Sequence, residues 1–456
     1  MYDSWNQILK NQNMTESFIH ELPLEVSERD SSILSTRFIS GGSLYNGCLQ
    51  ECLKRCDLMK QSWQYRKACK LPKKTSERNE LFKKAKLMYG FDEYQIHTWL
   101  TSYLKKFPFR EHLDSTVCQT IASRAFRSVK EYITSKRGRP RYKNVKRMRS
   151  LEGKSNVTGI RFKDGIILWK GLKLKPIYDL KDPHGVEAHA LSCLVKYVRL
   201  IRKKIKSRVR YLAQLVLEGK PLCKRASPAA VVGIDLGPST VAIVSANGID
   251  LSMITLMKDK SSRVLQTKIS RSREIHKKTT KRVRRLYTIL AEVKRKEASS
   301  RKRMLGKKVN EILSYGHIIK IEKLSYKAFQ RCYGKSVGRH APGMFVEKLR
   351  HKADNAGGKF IEINTYKTKL SQVCHACNKQ EKKPLSQRFH QCTCGITMQR
   401  DLYSAFLAVH TEDDCLDKSQ AALAWPCVQP LMWQALSRCK ETAKDQHELV
   451  RFGLRR

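Results

Sequence analysis

The stretch CHACNKQEKKPLSQRFHQCTCGITMQRDLYSAF, residues 374–406, limits the fold more than any other part of the chain. A C-x2-C knuckle and a C-x-C knuckle stand on either side of a gap of 14 residues. Four thiolates so placed supply the tetrahedral sulfur set that Zn2+ prefers. Cys374, Cys377, Cys392 and Cys394 are the expected ligands. The second knuckle is one residue short of the usual form, and His390 is the alternative fourth ligand. Most ribbons of this kind are structural staples. This one runs directly into Arg400 and Asp401, at the head of an apolar helical pattern formed by Leu402, Ala405, Phe406 and Val409. A staple has no need of that carboxylate.

Two more acids stand in comparable settings. The segment AAVVGIDLGPSTVAIVSANGIDLSMITL, 229–256, reads as three antiparallel strands. The first, 230–235, is an apolar run ending on Asp235, as in a buried central strand. A turn at 237–239 leads to a strand at 241–246, and Asn247 with Gly248 turns the chain into a third strand at 249–255. This meander resembles the opening of an RNase H-like nuclease domain. HIIKIEKL, 317–324, is another apolar strand and ends on Glu322. A helix at 342–358 follows, with Phe345, Leu349 and Ala353 inward and Gly357 as its stop. A strand at 359–364 precedes the ribbon.

Taken singly, Asp401 is also a good N-cap residue and Glu322 a surface ion-pair partner. The order strand-Asp, strand-Glu, helix-Asp points instead to one site. Buried carboxylates are costly unless paired or bound to metal. Three of them without an evident basic partner make a hard-oxygen site for Mg2+. Two such ions activate a water and stabilise the leaving oxygen of a phosphodiester.

The rest of the chain fits a nucleic-acid partner. It has 456 residues, enough for several domains, with 91 Lys plus Arg against 41 Asp plus Glu and a net charge of +50. Such an excess calls for a polyanion. The segment 258–308 holds 20 cations and 4 acids and reads as a basic helical hairpin on a nucleic-acid backbone, with Lys277, Lys278, Lys281, Arg282, Arg284 and Arg285 at its centre. A solvated face is the alternative, but it would carry more interspersed acids. The segment 137–143, with Arg137, Arg139, Arg141 and Lys143, breaks a helical region at Gly138 and Pro140 and is either a phosphate-binding linker or a solvated loop. Residues 44–136 read as helical, with Val117, Ile121, Ala125 and Val129 in one row. A short strand is expected at 33–39. Residues 155–222 read as a small β-barrel-like domain with a hairpin turn at Asp164 and Gly165 and a strand at 207–219.

No apolar run is long enough to span a bilayer, and the first residues, MYDSWNQILK, do not form a secretory leader. The 15 cysteines are odd in number and irregular in spacing, which points to a reducing cytoplasm rather than a disulfide framework. Cys48, Cys52 and Cys56 read as packing on a helix face, with metal ligation the alternative. Cys223, Cys332, Cys415 and Cys427 are expected as packing residues too.

GIDLG, the IEKL strand, the helix-strand-CxxC run and RDLYSAF, in this order, resemble the transposon-encoded TnpB proteins and the compact type V CRISPR effectors. The resemblance covers roughly residues 44–409. It implies a multidomain α+β chain: an N-terminal segment 1–43 with the first wedge strand, a helical recognition domain 44–136, a β-barrel wedge domain 137–226 and a RuvC-like nuclease domain 227–371 containing the basic segment 258–308. A zinc ribbon at 372–396 that binds target nucleic acid follows, then the second nuclease part with the tail, 397–456. It implies that Asp235, Glu322 and Asp401 are the RuvC acids holding two Mg2+, that one Zn2+ sits in the ribbon, and that Arg400 touches the scissile phosphate. It also implies a cytoplasmic prokaryotic ribonucleoprotein acting at the nucleoid. A guide RNA pairs with one strand of target double-stranded DNA, the protein reads a short flanking motif, and one site cuts both strands in turn.

Three departures stand out. They are the short second knuckle, Tyr403 where many relatives carry asparagine, and a tail at 410–456 to which no role is assigned. Two other function classes remain: an RNA-guided DNA binder that represses without cutting, and a transposase acting directly on transposon ends.

Overall fold

The computed structural model describes residues 16–205, 208–223, 227–238, 240–253, 261–276, 279–384, 386–442 and 452. The chain divides into two compact units, Met1–Leu222 and Cys223–Arg456.

In the first unit, β1 (Ser17–Glu25) leads into a long helix, α1 (Glu28–Gln61). The strand expected at 33–39 is therefore helix. Its alternating apolar pattern is also compatible with a helical one, and Ser27 settles the matter by accepting from the Asp30 amide at 3.1 Å as N-cap. Leu34, Phe38, Tyr45, Cys48, Leu49, Cys52 and Cys56 then form one buried stripe. The three cysteines are packing residues, and burial raises all three thiols, Cys52 to about 12. α2 (Trp63–Lys70), α3 (Ser76–Met88), α4 (Glu93–Lys106) and α5 (Phe109–His112) lead to α6 (Ser115–Ile133). The apolar row on α6 packs against α1, and α6 stops before Gly138 and Pro140 are reached.

The remaining strands of this unit are β2 (Ser150–Glu152), β3 (Arg161–Lys163), β4 (Ile166–Trp169), β5 (Leu172–Pro176), β6 (Val195–Ile205) and β7 (Arg208–Glu218). With β1 they form a seven-stranded sheet of order β2-β6-β7-β1-β5-β4-β3, a half-barrel that shares one core with α1 and α6. The β3–β4 turn has Asp164 and Gly165 at φ 50° and 73°, the left-handed pair of a type I′ hairpin. A helix not anticipated from the sequence, α7 (Val186–Ser192), joins β5 to β6. The Asp182 carboxylate starts it by accepting from the amides of Val186, Glu187 and Ala188.

The second unit is built on β8 (Val231–Leu236), β9 (Thr240–Ser245) and β10 (Gly248–Met253), an antiparallel meander. Its hairpin turn falls on Ala246 and Asn247, one residue earlier than expected. Gly248 is instead the first strand residue, where a side chain would strike the Tyr315 ring. Part of the third strand as expected, 254–255, and the Ser239 position lie outside the described residues. α8 (Ser261–His276) and α9 (Lys281–Tyr315) form the basic hairpin. β11 (Ile318–Glu322), α10 (Tyr326–His340), α11 (Pro342–Asn355) and β12 (Lys359–Ile363) follow. The sheet order is β10-β9-β8-β11-β12, with β11 parallel to both β8 and β12.

The two faces of this sheet are covered differently, and strand alternation assigns each residue to one of them. Val232, Ile234, Leu236, Ile319 and Ile321 pack with Leu305, Val309 and Ile312 of α9 and Phe345 and Leu349 of α11. Gly233, Asp235, Lys320 and Glu322 point to the other face. After α12 (Thr365–Thr368), β13 (Phe389–Gln391) and β14 (Thr397–Gln399), that face receives α13 (Arg400–Val409). A small hairpin, β15 (Thr411–Glu412) with β16 (Cys415–Leu416), leads to α14 (Lys418–Thr442). Trp425, Met432, Ala435 and Leu436 of α14 join Leu402, Phe406 and Leu251 in one apolar core, so this part of the tail is a structural element of the unit. Among the described residues no helix is long and apolar enough to cross a membrane.

Candidate active site and metal centre

Asp235 and Glu322 are brought together by strand register. The parallel ladder of β8 and β11 pairs Ile234 with Ile321. The next residue on each strand is an acid, so the two carboxylates stand side by side at the strand ends, on the α13 face. Neighbouring strands are about 4.8 Å apart.

The third acid is delivered by the closeness of α13 to β8. A Cβ on Gly233 would lie 2.0 Å from the Ala405 carbonyl oxygen, so only glycine permits the helix to lie there. Asp401 is one turn before Ala405, and Asp235 is two residues beyond Gly233. Asp401 is not the N-cap of its helix. Gln399 holds that position, its Oε1 accepting from the Leu402 amide at 2.8 Å. The capping explanation for Asp401 is thereby removed.

The electrostatics agree with convergence. Burial, then Asp401, then Glu322 push Asp235 well above the usual carboxylate range, and Arg400 pulls it back. Burial raises Glu322 to about 7, opposed by the Leu370 backbone amide. Glu322 Oε1 is buried without a hydrogen-bond partner. An orphaned oxygen beside two further carboxylates is a donor set that suits a hard divalent cation. The acids are not wholly without a cation: Arg400 Nε lies 3.8 Å from Asp401 Oδ1. Arg400 is otherwise engaged with the ribbon loop, its Nη1 donating to the carbonyls of Gln387 at 3.1 Å and Pro384 at 3.3 Å.

The four ribbon cysteines are gathered more tightly. Their sulfurs all lie within 4.8 Å of one another, the only such group of His, Cys, Asp or Glu ligand atoms among the described residues. The three carboxylates are not drawn in to that degree. Cys374 Sγ is 3.6 Å from Cys394 Sγ, and Cys377 Sγ is 3.3 Å from Cys392 Sγ. The short knuckle closes because Gly395 adopts φ 92°, which lets Cys392 N donate to Ile396 O at 2.9 Å. In the coupled quartet the Cys394 backbone amide leads the hydrogen bonds that lower Cys392, while Cys377 and Cys394 are raised against the pull of the Lys379 and Ile396 amides.

His390 is outside that group. It stacks on Tyr403 with ring centroids 4.3 Å apart and shares Nδ1 with Lys383 Nζ at 2.7 Å. Burial holds it down to about 4, as neutral imidazole. The signal missed at the sequence level is Tyr403. Its hydroxyl accepts from the His375 amide at 3.1 Å and lies 2.7 Å from His375 Nδ1, and it is fully buried against Trp425. The departure from asparagine was visible, but its partner was not, because His375 looks like a spacer between two cysteines.

The basic residues fall into two groups. Lys281, Arg282, Arg284 and Arg285 are exposed on α9, and Lys277 and Lys278 lie outside the described residues. In the 137–143 segment, Arg139 is bidentate to Asp57 at 2.8 and 3.0 Å, and Arg137 is 3.4 Å from Glu131. Lys143 Nζ sits 3.5 Å from the centre of the Tyr45 ring, and its backbone pairs with the Asn46 amide group. Arg141 is exposed. Cys223, Cys332, Cys415 and Cys427 are exposed rather than packed. Cys223 lies in a loop, Cys332 and Cys427 on the outer sides of helices, and Cys415 on the short strand β16.

Comparison with known proteins gives one segment match. A search of curated proteins finds none. A cryo-EM structure of a Cas12f1–sgRNA–target DNA complex is similar at 13% identity, covering 87% of this chain and 98% of that chain, with a TM-score of 0.41. A cryo-EM structure of a CRISPR-Cas12f ternary complex is similar at 14% identity, covering 91% and 86%, with a TM-score of 0.29. Neither fixes the position of any residue. Residues 343–407, which take in α11 from its second residue, β12, all four ribbon cysteines and Asp401, match the family described as Cas12f1-like, TNB domain.

Proposed function

We propose that this protein is an RNA-guided DNA endonuclease whose second unit is an RNase H-like, RuvC-type nuclease domain. The observation that carries the reading is the meeting of Asp235 and Glu322 at adjacent parallel strand ends, with Asp401 close enough to raise the Asp235 pKa. Isolated acids on a surface do not repel one another in this way. Asp235, Glu322 and Asp401 would hold Mg2+, two ions in the full site, and those ions would supply an activated water and charge stabilisation for phosphodiester hydrolysis. The residues themselves set the geometry: two strands fix two acids, and α13 presents the third.

The zinc ribbon, with Cys374, Cys377, Cys392 and Cys394 as ligands, lies in the loop between β12 and α13 and reaches nucleic acid near that site. Arg400 lies between ribbon and acids and is the group nearest to a scissile phosphate. The partners are a guide RNA and target double-stranded DNA, in keeping with the sgRNA and target DNA of the similar solved complex. The half-barrel and helices of the first unit are read as wedge and recognition domains, and the exposed cations of α9 as phosphate contacts.

The test is purification with co-expressed RNA and incubation with a matching target and Mg2+. Cleavage by the wild type and none by Asp235→Ala is expected. Equal cleavage by both removes the site. A second reading, RNA-guided binding without cleavage, has one observation on its side: the carboxylates are less closely gathered than the thiols. Tight target binding with no cut in Mg2+ or Mn2+ would establish it.

A further inference from the structure

Arg400 ties the head of the acid-bearing helix to the ribbon loop, and Tyr403 ties the same helix to the first cysteine knuckle. Tyr403 lies two residues after Asp401 on α13, and its ring is fully buried. The hydroxyl accepts from the backbone amide of His375, the residue that follows the cysteine ligand Cys374, and pairs again with His375 Nδ1. A phenol has one donor and two acceptor positions. Both bonds therefore use it nearly to capacity, and both go to the first knuckle. The ring is clamped as well: His390 of the β13–β14 hairpin stacks on one face, and Trp425 of α14 meets it edge-on with centroids 5.6 Å apart. His375 in turn packs against Phe406 and Trp425.

Without metal the two knuckles meet through weak thiol contacts, Cys374 with Cys394 and Cys377 with Cys392. Bound metal fixes both knuckles at once. Any movement of the first knuckle is passed through His375 to the Tyr403 hydroxyl, and from there to the first turn of α13. That turn carries Asp401. Asparagine at this position is too short to span the same distance, so the connection belongs to this chain's tyrosine.

We propose that the Tyr403 hydroxyl is a positioning group that couples metal occupancy of the Cys374, Cys377, Cys392 and Cys394 centre to the placement of Asp401. Zinc in the ribbon then sets how well the acid site holds its own divalent ions. The inference rests on the reading of Asp401 as a metal ligand, and its test separates the two.

The test uses the full chain carrying Tyr403→Phe, which keeps the ring and removes only the oxygen. Zinc release from the purified protein is followed with a chromophoric chelator, and cleavage is titrated with Mg2+ at saturating guide and target. Several-fold faster zinc release is expected, together with a several-fold higher Mg2+ midpoint and unchanged target binding. Wild-type values for both overturn the proposal. Faster zinc release with an unchanged Mg2+ midpoint also overturns it, leaving Tyr403 a brace for the ribbon alone. Should Tyr403→Phe not fold, hydrogen exchange of the 401–405 amides in the wild type, with zinc and after its extraction, decides instead: protection lost with zinc supports the coupling, and unchanged protection defeats it. If Asp401→Ala cuts like the wild type, the acid-site reading falls, while the zinc-release comparison still reports on Tyr403.

Discussion

Lys320 reaches from the middle of β11 to the last turn of α13, where its Nζ donates to the Val409 carbonyl at 3.0 Å. The lysine is 4% exposed, and burial lowers its pKa. Its carboxylate neighbour, Glu412 at 3.8 Å, is largely solvent-exposed. A buried ammonium so placed satisfies an orphan carbonyl at the negative end of the helix dipole. It also pins the helix along the sheet, one end at Lys320 and the other over Asp235.

Lys320→Met should keep most of the packing and lose the bond. A destabilisation of about 1–3 kcal/mol is expected for the unsatisfied carbonyl. Cleavage should fall further than target binding, because the acid-bearing helix is no longer held in register. Denaturant unfolding and parallel binding and cleavage assays check this, and equal losses in both assays count against the pinning role.

Gly233→Ala should be worse than Lys320→Met. The added methyl would meet backbone, the Ala405 carbonyl, rather than a flexible side chain. Overpacking of this sort costs about 1–3 kcal/mol or more, and here it forces α13 away from Asp235. Gly306→Ala is the counterpart on α9, where nothing lies within 4 Å of the new carbon. It should stabilise by about 0.5–1 kcal/mol. Unfolding midpoints of the two variants should move in opposite directions.

The pH dependence follows from Glu322. Its folded value of about 7 exceeds its ordinary 4.5, so the metal-free folded state binds more protons than the unfolded state between those values. The stabilising contribution is full below the ordinary value and is lost as pH rises through about 7. Mg2+ competes with that proton. The thermal shift produced by Mg2+ should therefore be larger at pH 8 than at pH 5.5, and Glu322→Gln should flatten the metal-free profile. A Mg2+ shift independent of pH would exclude Glu322 as a ligand.

Cys374→Ser with Cys377→Ser should abolish zinc binding and lower folding yield. The wild type should carry one zinc by metal analysis, and a zinc-free active protein would refute the ribbon. Cys332→Ser, at an exposed position, should change neither.

The cations should separate by environment. Arg284→Ala and Arg285→Ala, both exposed on α9, should each weaken nucleic-acid binding and reduce its salt slope by about one. Arg139→Ala removes a group already bonded to Asp57, so its effect should show more in stability than in the salt slope.

The sequence disclosed the strands that end in acids, because a continuous apolar run closing on a carboxylate has few alternative readings. It disclosed the cysteine quartet from spacing alone. It did not disclose α7, whose start depends on three amides folding back onto Asp182, or the helix across 33–39, where apolar alternation and helical period coincide. The roles of Lys320, Gly233 and Tyr403 depend on partners between 28 and 172 residues away in the chain, Val409, Ala405 and His375. Only the folded arrangement brings those pairs into view.

The partition of α9 has a practical reach. Its last third, with Leu305, Val309, Ile312 and Leu313, is sealed into the sheet, whereas the arginine-rich start of the helix lies outside that core with α8. The β8–β11 ladder that aligns the two strand acids closes without help from the outlying portion. The basic hairpin is thus a graftable cassette. On the proposed reading, exchange at a junction near Arg303 would alter the nucleic-acid contacts while leaving the β8–β11 ladder and its two acids in place.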